Sequence, residues 1–128
     1  MKLLLDTCTF LWAIDNPAKL SSACRDLISD MANEVFLSTA SVWEICVKHK
    51  QGGLTLTEAP DRYVPRQRDK HGFDTLPLDE PSVLQLPRLP MHHKDPFDRM
   101  LICQAIAHGL AIVTPDPLIT RYPVRTLW

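Results

Sequence analysis

"DPFDRMLICQAIAHGLAIVTPD", residues 95–116, decides how this chain is read. Asp95 followed by Pro96 is a helix start: an acid at the N-cap, then proline at N1, where its missing N–H costs nothing. Asp98 then falls at N3, beside the positive end of the helix. Phe97, Met100, Leu101, Ile102, Cys103, Ala105, Ile106 and Ala107 follow and leave almost no polar face, so the helix predicted over 97–109 is buried rather than amphipathic. "LAIVT" (110–114) reads as a strand, and Asp116 follows it by one residue.

The same alternation runs back to the N-terminus. "KLLLD" (2–6) is a short apolar run ending in an acid, which suits a buried strand, although periodicity alone does not separate that from a turn of buried helix. "TCTFLWAID" predicts a short helix stopped near Asn16-Pro17, and residues 21–32 a helix with Cys24, Leu27, Ile28 and Met31 on one stripe. "EVFLST" (34–39) is a second strand, and "SVWEICVKHKQGG" (41–53) a helix closed by two glycines. Residues 60–72 predict a solvated, locally basic helix, "FDTLPL" (73–78) a third strand, "EPSVLQLPRLP" (80–90) a short helix broken by prolines, and "VRTLW" (124–128) a last strand. Strands alternating with helices imply parallel pairing through right-handed crossovers, hence a three-layer α/β/α sandwich on a mainly parallel sheet of about five strands.

At 128 residues the chain suits one domain with a hydrophobic core; 45% hydrophobic and 23% charged residues exclude a disordered class. The net charge of -1, from 14 Lys plus Arg against 15 Asp plus Glu, argues neither for nor against a nucleic-acid partner. Cys8, Cys24, Cys46 and Cys103 form no C-x-x-C pair and sit among apolar neighbours, which predicts four small core residues in a reducing compartment. Adjacent His92 and His93 are a weak hint of zinc. "MKLLLDT" is too short for a signal-peptide core and no apolar run approaches a bilayer span, so the expectation is a cytoplasmic protein without membrane attachment.

Four acids stand where the apolar stretches begin or end: Asp6 after the first strand, Glu44 among Val42, Trp43, Ile45, Cys46 and Val47, Asp98 at the start of the buried helix, and Asp116. Each has a structural reading. Ser41-x-x-Glu44 is a capping box, Asp95 and Asp116 precede prolines as N-caps do, and Asp6 caps the helix it leads into. Taken together they share one edge, because in a parallel α/β sheet the strand C-termini and the following helix N-termini lie on the same side, where ligands bind. Close carboxylates repel unless a cation neutralises them, and an oxygen-only donor set suits Mg²⁺ or Mn²⁺ more than zinc. Such an ion activates water and screens the phosphate in phosphodiester hydrolysis. The hydroxyls of Thr7, Ser38, Thr39, Ser41 and Thr114 stand beside these acids, either as caps or to orient water or metal.

In order, "LLLDTCTFLW", "LSTASVWEICVKHK" and "DPFDRMLICQAIAHGLAIVTPD" resemble the PIN domain, specifically VapC-type toxins, over nearly the whole chain, so that residues 1–128 read as a single PIN domain. The resemblance implies an Mg²⁺- or Mn²⁺-dependent endoribonuclease acting on RNA, often tRNA or rRNA, working as a homodimer and silenced by a cognate antitoxin. It assigns Asp6, Glu44, Asp98 and Asp116 to catalysis and metal binding. Thr7, Ser41, Asp95 and Thr114 become auxiliary residues, Asp95 as a cap, substrate contact or part of the metal shell. Lys48, Arg66, Arg68 and Arg99, with Arg62 and Lys70, would contact phosphate, and His93 would serve as a loop tether or a substrate contact. A catalytically inactive, protein-binding PIN-like module is the alternative. A haloacid-dehalogenase-type phosphotransferase needs a second acid two residues after Asp6, where Cys8 stands, and a receiver domain needs an acid pair that "LLLDT" lacks.

Overall fold

The computed structural model describes residues 1–128 as β1 (Lys2–Leu5), α1 (Thr7–Asp15), α2 (Ser22–Ser29), β2 (Glu34–Ser38), α3 (Thr39–Lys50), α4 (Pro60–His71), β3 (Asp74–Leu76), α5 (Glu80–Val83), α6 (Pro96–His108), β4 (Ala111–Val113) and β5 (Thr126–Leu127), with 3-10 turns at Pro17–Lys19, Leu86–Arg88 and Ile119–Arg121. The five strands form one sheet in the order β3-β2-β1-β4-β5, and every pairing is parallel. The helix predicted over 21–32 ends at Ser29, and the proline-rich 80–90 stretch makes one four-residue helix and a 3-10 turn.

Alternation along β1 divides the core. Leu3 and Leu5 face one side with Phe10, Val35, Leu37, Ile45, Tyr63 and Val113, while Leu4 faces the other with Leu101, Ile102, Ile112 and Tyr122. α1, α2 and α4 cover the first face and α6 the second, giving the three layers. α6 carries five consecutive buried residues, Leu101 to Ala105, as expected of a helix with no polar face. Each fully buried Leu or Ile there contributes about 1.5–3 kcal/mol relative to exposure. Gly109, at φ 67°, closes the helix in the left-handed conformation and turns the chain into β4.

Two of the cysteine expectations fail. Cys24 and Cys103 are buried, but Cys8 and Cys46 are exposed. Each neighbours buried residues in sequence, Thr7 and Thr9 on α1, Glu44 and Ile45 on α3, yet successive residues on a helix lie about 100° apart, so apolar sequence neighbours do not imply a shared face. No helix is long and apolar enough to cross a membrane.

Candidate active site

β1 and β4 are adjacent and parallel, so their C-terminal ends lie side by side. Asp6 leaves β1 and caps α1, its Oδ1 accepting from the Thr9 N–H at 2.8 Å. Across the strand gap the Thr114 hydroxyl donates to Asp6 Oδ2 at 2.5 Å, and Thr114 Oγ1 accepts from the Asp116 N–H at 3.1 Å. The chain direction after β4 therefore aims Asp116 back over the end of β1.

β2, on the other side of β1, runs straight into α3, which brings Glu44 one and a half turns later over the same edge. Ser38 caps α3 through the Ala40 N–H at 2.9 Å. The Thr7 hydroxyl donates to Glu44 Oε1 at 2.6 Å and lies 3.0 Å from the Ser41 hydroxyl. Lys48, one turn along α3, pairs with Glu44 Oε2. α6 begins at this edge too. Asp95 Oδ1 accepts from the N–H groups of Phe97 and Asp98 at 2.9 and 3.3 Å, and Asp98 stands in the first turn.

The result is a cleft of about 260 Å³ lined by Asp6, Thr7, Cys8, Trp12, Glu44, Lys48, Asp95, Asp98, Pro115 and Asp116. Five carboxylates thus face one ammonium. Burial pushes the Asp98 carboxyl up to about 7, and the charges of Asp95, Glu44 and Asp6 push the same way. Burial also raises Asp6, against the hydrogen bonds from Thr114 and Thr9 that favour its charged form. Two acids of the cleft, Asp6 and Asp98, are thus disfavoured as anions beside other carboxylates, which gives it the character of an incomplete site. Carboxylate oxygens with excess negative charge fit a hard divalent cation, which removes that repulsion. Recesses of about 370 and 410 Å³ open elsewhere; the first is framed by Met1, Lys2, Gly109 and Arg125 at the opposite edge and has no acid in its lining.

The structure therefore brings Asp6, Glu44, Asp98 and Asp116 together, with Thr7, Asp95 and Thr114 as their hydrogen-bonding neighbours, Ser41 behind them against the Thr7 hydroxyl, and Lys48 in the cleft. It does not bring the other basic residues there. α4 leads into β3, so its later turns run toward the strand-start edge; Arg66 pairs with Glu58 at 3.0 Å, Arg68 lies on the same stretch, and Lys70 lines a recess beside Asn33 and Val35. Arg99 turns from the acids into a groove with Trp43, Lys94 and Met100, its Nη1 3.4 Å from Met91 Sδ. Ser38 and Thr39 serve the scaffold, Thr39 Oγ1 accepting from the Leu78 N–H at 3.0 Å.

Two residues escaped the sequence reading. Gln104 is fully buried: its Oε1 accepts from Ser38 at 2.5 Å and its Nε2 reaches the Pro77 and Leu76 carbonyls at 3.2 and 3.4 Å. One amide in the apolar run "LICQAIA" was the available signal. Tyr122 is buried, and its hydroxyl accepts from the N–H groups of His92 and His93 at 3.1 and 2.9 Å. That anchor sets His93, whose Nε2 lies 2.9 Å from Asp98 Oδ2 and 3.1 Å from Asp116 Oδ2.

Residues 3–124 match the family model of the PIN domain. Ribonuclease VapC16 of Mycobacterium tuberculosis is 34% identical over 55 residues, a stretch spanning 43% of this chain and 39% of that protein. Among solved structures, VapBC2 from Rickettsia felis bound to a promoter DNA fragment superposes with a TM-score of 0.75 at 14% identity, covering 100% of this chain and 99% of that one. DNA-bound VapBC from Salmonella typhimurium gives 0.72 at 19%, covering 99% and 97%. FitAcB from Neisseria gonorrhoeae gives 0.64 at 19%, covering 98% and 96%. At such identities these structures share the fold.

Proposed function

The chain belongs to the PIN domain family, and from that premise we propose that it is a divalent-metal-dependent endoribonuclease acting as the toxin of a toxin-antitoxin pair. The observation that carries the reading is the cleft itself: five carboxylates from α1, α3, α6 and the β4 exit, with Lys48 as their one cationic neighbour. Asp6, Glu44, Asp98 and Asp116 would hold the cation, Mg²⁺ or Mn²⁺. When bound, that ion lowers the pKa of a coordinated water and neutralises charge building on the scissile phosphate.

The protein's own groups do the rest. Thr114 and the Thr9 N–H hold Asp6, and Thr7 holds Glu44, so both carboxylates are oriented before substrate arrives. Asp98, whose carboxyl is raised to about 7 by burial and neighbouring acids, is the ligand whose anionic form a bound cation would favour most. Lys48 supplies positive charge on the side of the cleft where an RNA phosphate enters.

The partners follow from the relatives' names and from exposed apolar surface. Structures similar to this chain include VapBC2 and VapBC, which supports a cognate antitoxin, and a homodimer belongs to the same proposal. Phe10 is buried, and Leu11, Trp12, Leu27 and Ile28 are partly buried against the core. Trp43, Leu84 and Met91 are exposed by 57%, 61% and 68% and offer apolar side chains to a partner.

The test is cleavage of tRNA and rRNA by the purified chain with Mg²⁺ or Mn²⁺, against an EDTA control. Cation-dependent fragments of defined length are expected. Intact RNA under every cation would favour the protein-binding module, whose mark is retained antitoxin binding without turnover.

A further inference from the structure

The His93 side chain is only 12% exposed and touches two of the four acids. It is held from both sides: by Tyr122, which fixes the backbone at 92 and 93, and by the Asp95 N–H, which donates to His93 Nδ1 at 3.3 Å. One nitrogen, His93 Nε2, and one oxygen each from Asp98 and Asp116 lie within 4.8 Å of one another. Two roles fit that cluster. Either the imidazole is a metal ligand, or it is a donor that holds the carboxylates.

The donor count separates them. A backbone N–H can only donate, so Nδ1 receives the Asp95 bond and carries no hydrogen. The neutral ring then bears its one proton on Nε2, where the two nearest atoms are carboxylate oxygens, which accept. Every donor meets an acceptor. Ligation through Nε2 would move the proton to Nδ1, against the Asp95 N–H, and would break a contact made by the residue that also caps α6.

We propose that His93 is a positioning residue whose Nε2–H bridges Asp98 and Asp116, joining the start of α6 to the exit of β4 and leaving an all-oxygen set for the cation. This rests on the metal-dependent reading above and extends it. An all-oxygen set keeps the site suited to Mg²⁺ and Mn²⁺ alike, whereas an imidazole donor would bias it toward transition metals. The residue two positions before the cap thus governs how tightly the site holds a cation and leaves the choice of cation to the carboxylates.

The experiment uses the full chain and titrates Mg²⁺ and Mn²⁺ calorimetrically into wild type, His93→Ala and His93→Gln, with thermal unfolding as the folding control. Gln carries an N–H donor of similar reach but no imidazole nitrogen. The expected result is that His93→Ala weakens both cations by a similar factor, on the order of 10- to 100-fold. His93→Gln should recover most of that loss, and the Mn²⁺/Mg²⁺ affinity ratio should stay constant throughout. Loss of Mn²⁺ binding well beyond that of Mg²⁺, with no recovery in His93→Gln, would make His93 a ligand and overturn the proposal. So would wild-type affinity in His93→Ala. If that variant fails to fold, His93→Gln against wild type carries the same ratio. A wild-type chain that binds neither cation overturns the metal reading itself, an outcome distinct from any change in the ratio.

Discussion

Asp98 shows how one side chain is pulled between folding and function. Burial and three neighbouring acids raise its carboxyl from 3.8 to about 7, so the folded chain binds this proton more tightly than the unfolded chain does. Between those values the folded state holds more protons, and metal-free stability falls as pH rises, levelling off above about 7. Asp98→Asn cannot titrate. In EDTA the variant should be more stable than wild type at pH 8 and lose that advantage at pH 4, by thermal unfolding at both values. An advantage equal at the two pH values would contradict the electrostatic account. At the same scale, Thr114→Val removes the hydroxyl donor to Asp6 while keeping shape, and should cost about 1–3 kcal/mol in urea unfolding. A loss near zero would mean that the bond does not help hold Asp6.

Elements were legible where local chemistry sets them. Asp95-Pro96 announced the start of α6, and Asp6, Glu44 and Asp98 were placed on one edge because parallel strands and their helices leave no other arrangement. What stayed hidden depends on angles around helices and on contacts between elements far apart in sequence. The exposure of Cys8 and Cys46 turns on a 100° step, and the remoteness of Arg66 turns on α4 running away from the acid edge toward the start of β3. His93 could not be assigned because Tyr122, 29 residues away, sets its position. Gln104 is the clearest case, since it ties α6 to the cap of α3 and to the end of β3, and so fixes the two helices that carry Asp98 and Glu44. Gln104→Ala leaves the Ser38 O–H without its acceptor and opens a small void, and should cost about 2–4 kcal/mol. Denaturant unfolding reads this directly; a cost below about 0.5 kcal/mol would show that α3 and α6 are held by apolar packing alone.

At the scale of the whole molecule, the strand order places the site. From β1 the chain builds outward through β2 to β3, then returns to the other side of β1 for β4 and β5. The crevice at that reversal, between the ends of β1 and β4, is where doubly wound sheets bind ligands, and it is where Asp6, Thr114 and Asp116 stand. A chain of net charge -1 that concentrates five carboxylates there would repel a phosphate unless a bound cation offset the charge. The most direct check is the rate of RNA cleavage at saturating Mn²⁺ by wild type and Asp6→Asn, a change that keeps size and capping ability but removes charge. The expected outcome is a fall of about 100-fold or more in the variant, with an unfolding temperature close to wild type. Full-rate cleavage by Asp6→Asn, or wild-type cleavage undiminished in EDTA, would contradict the account.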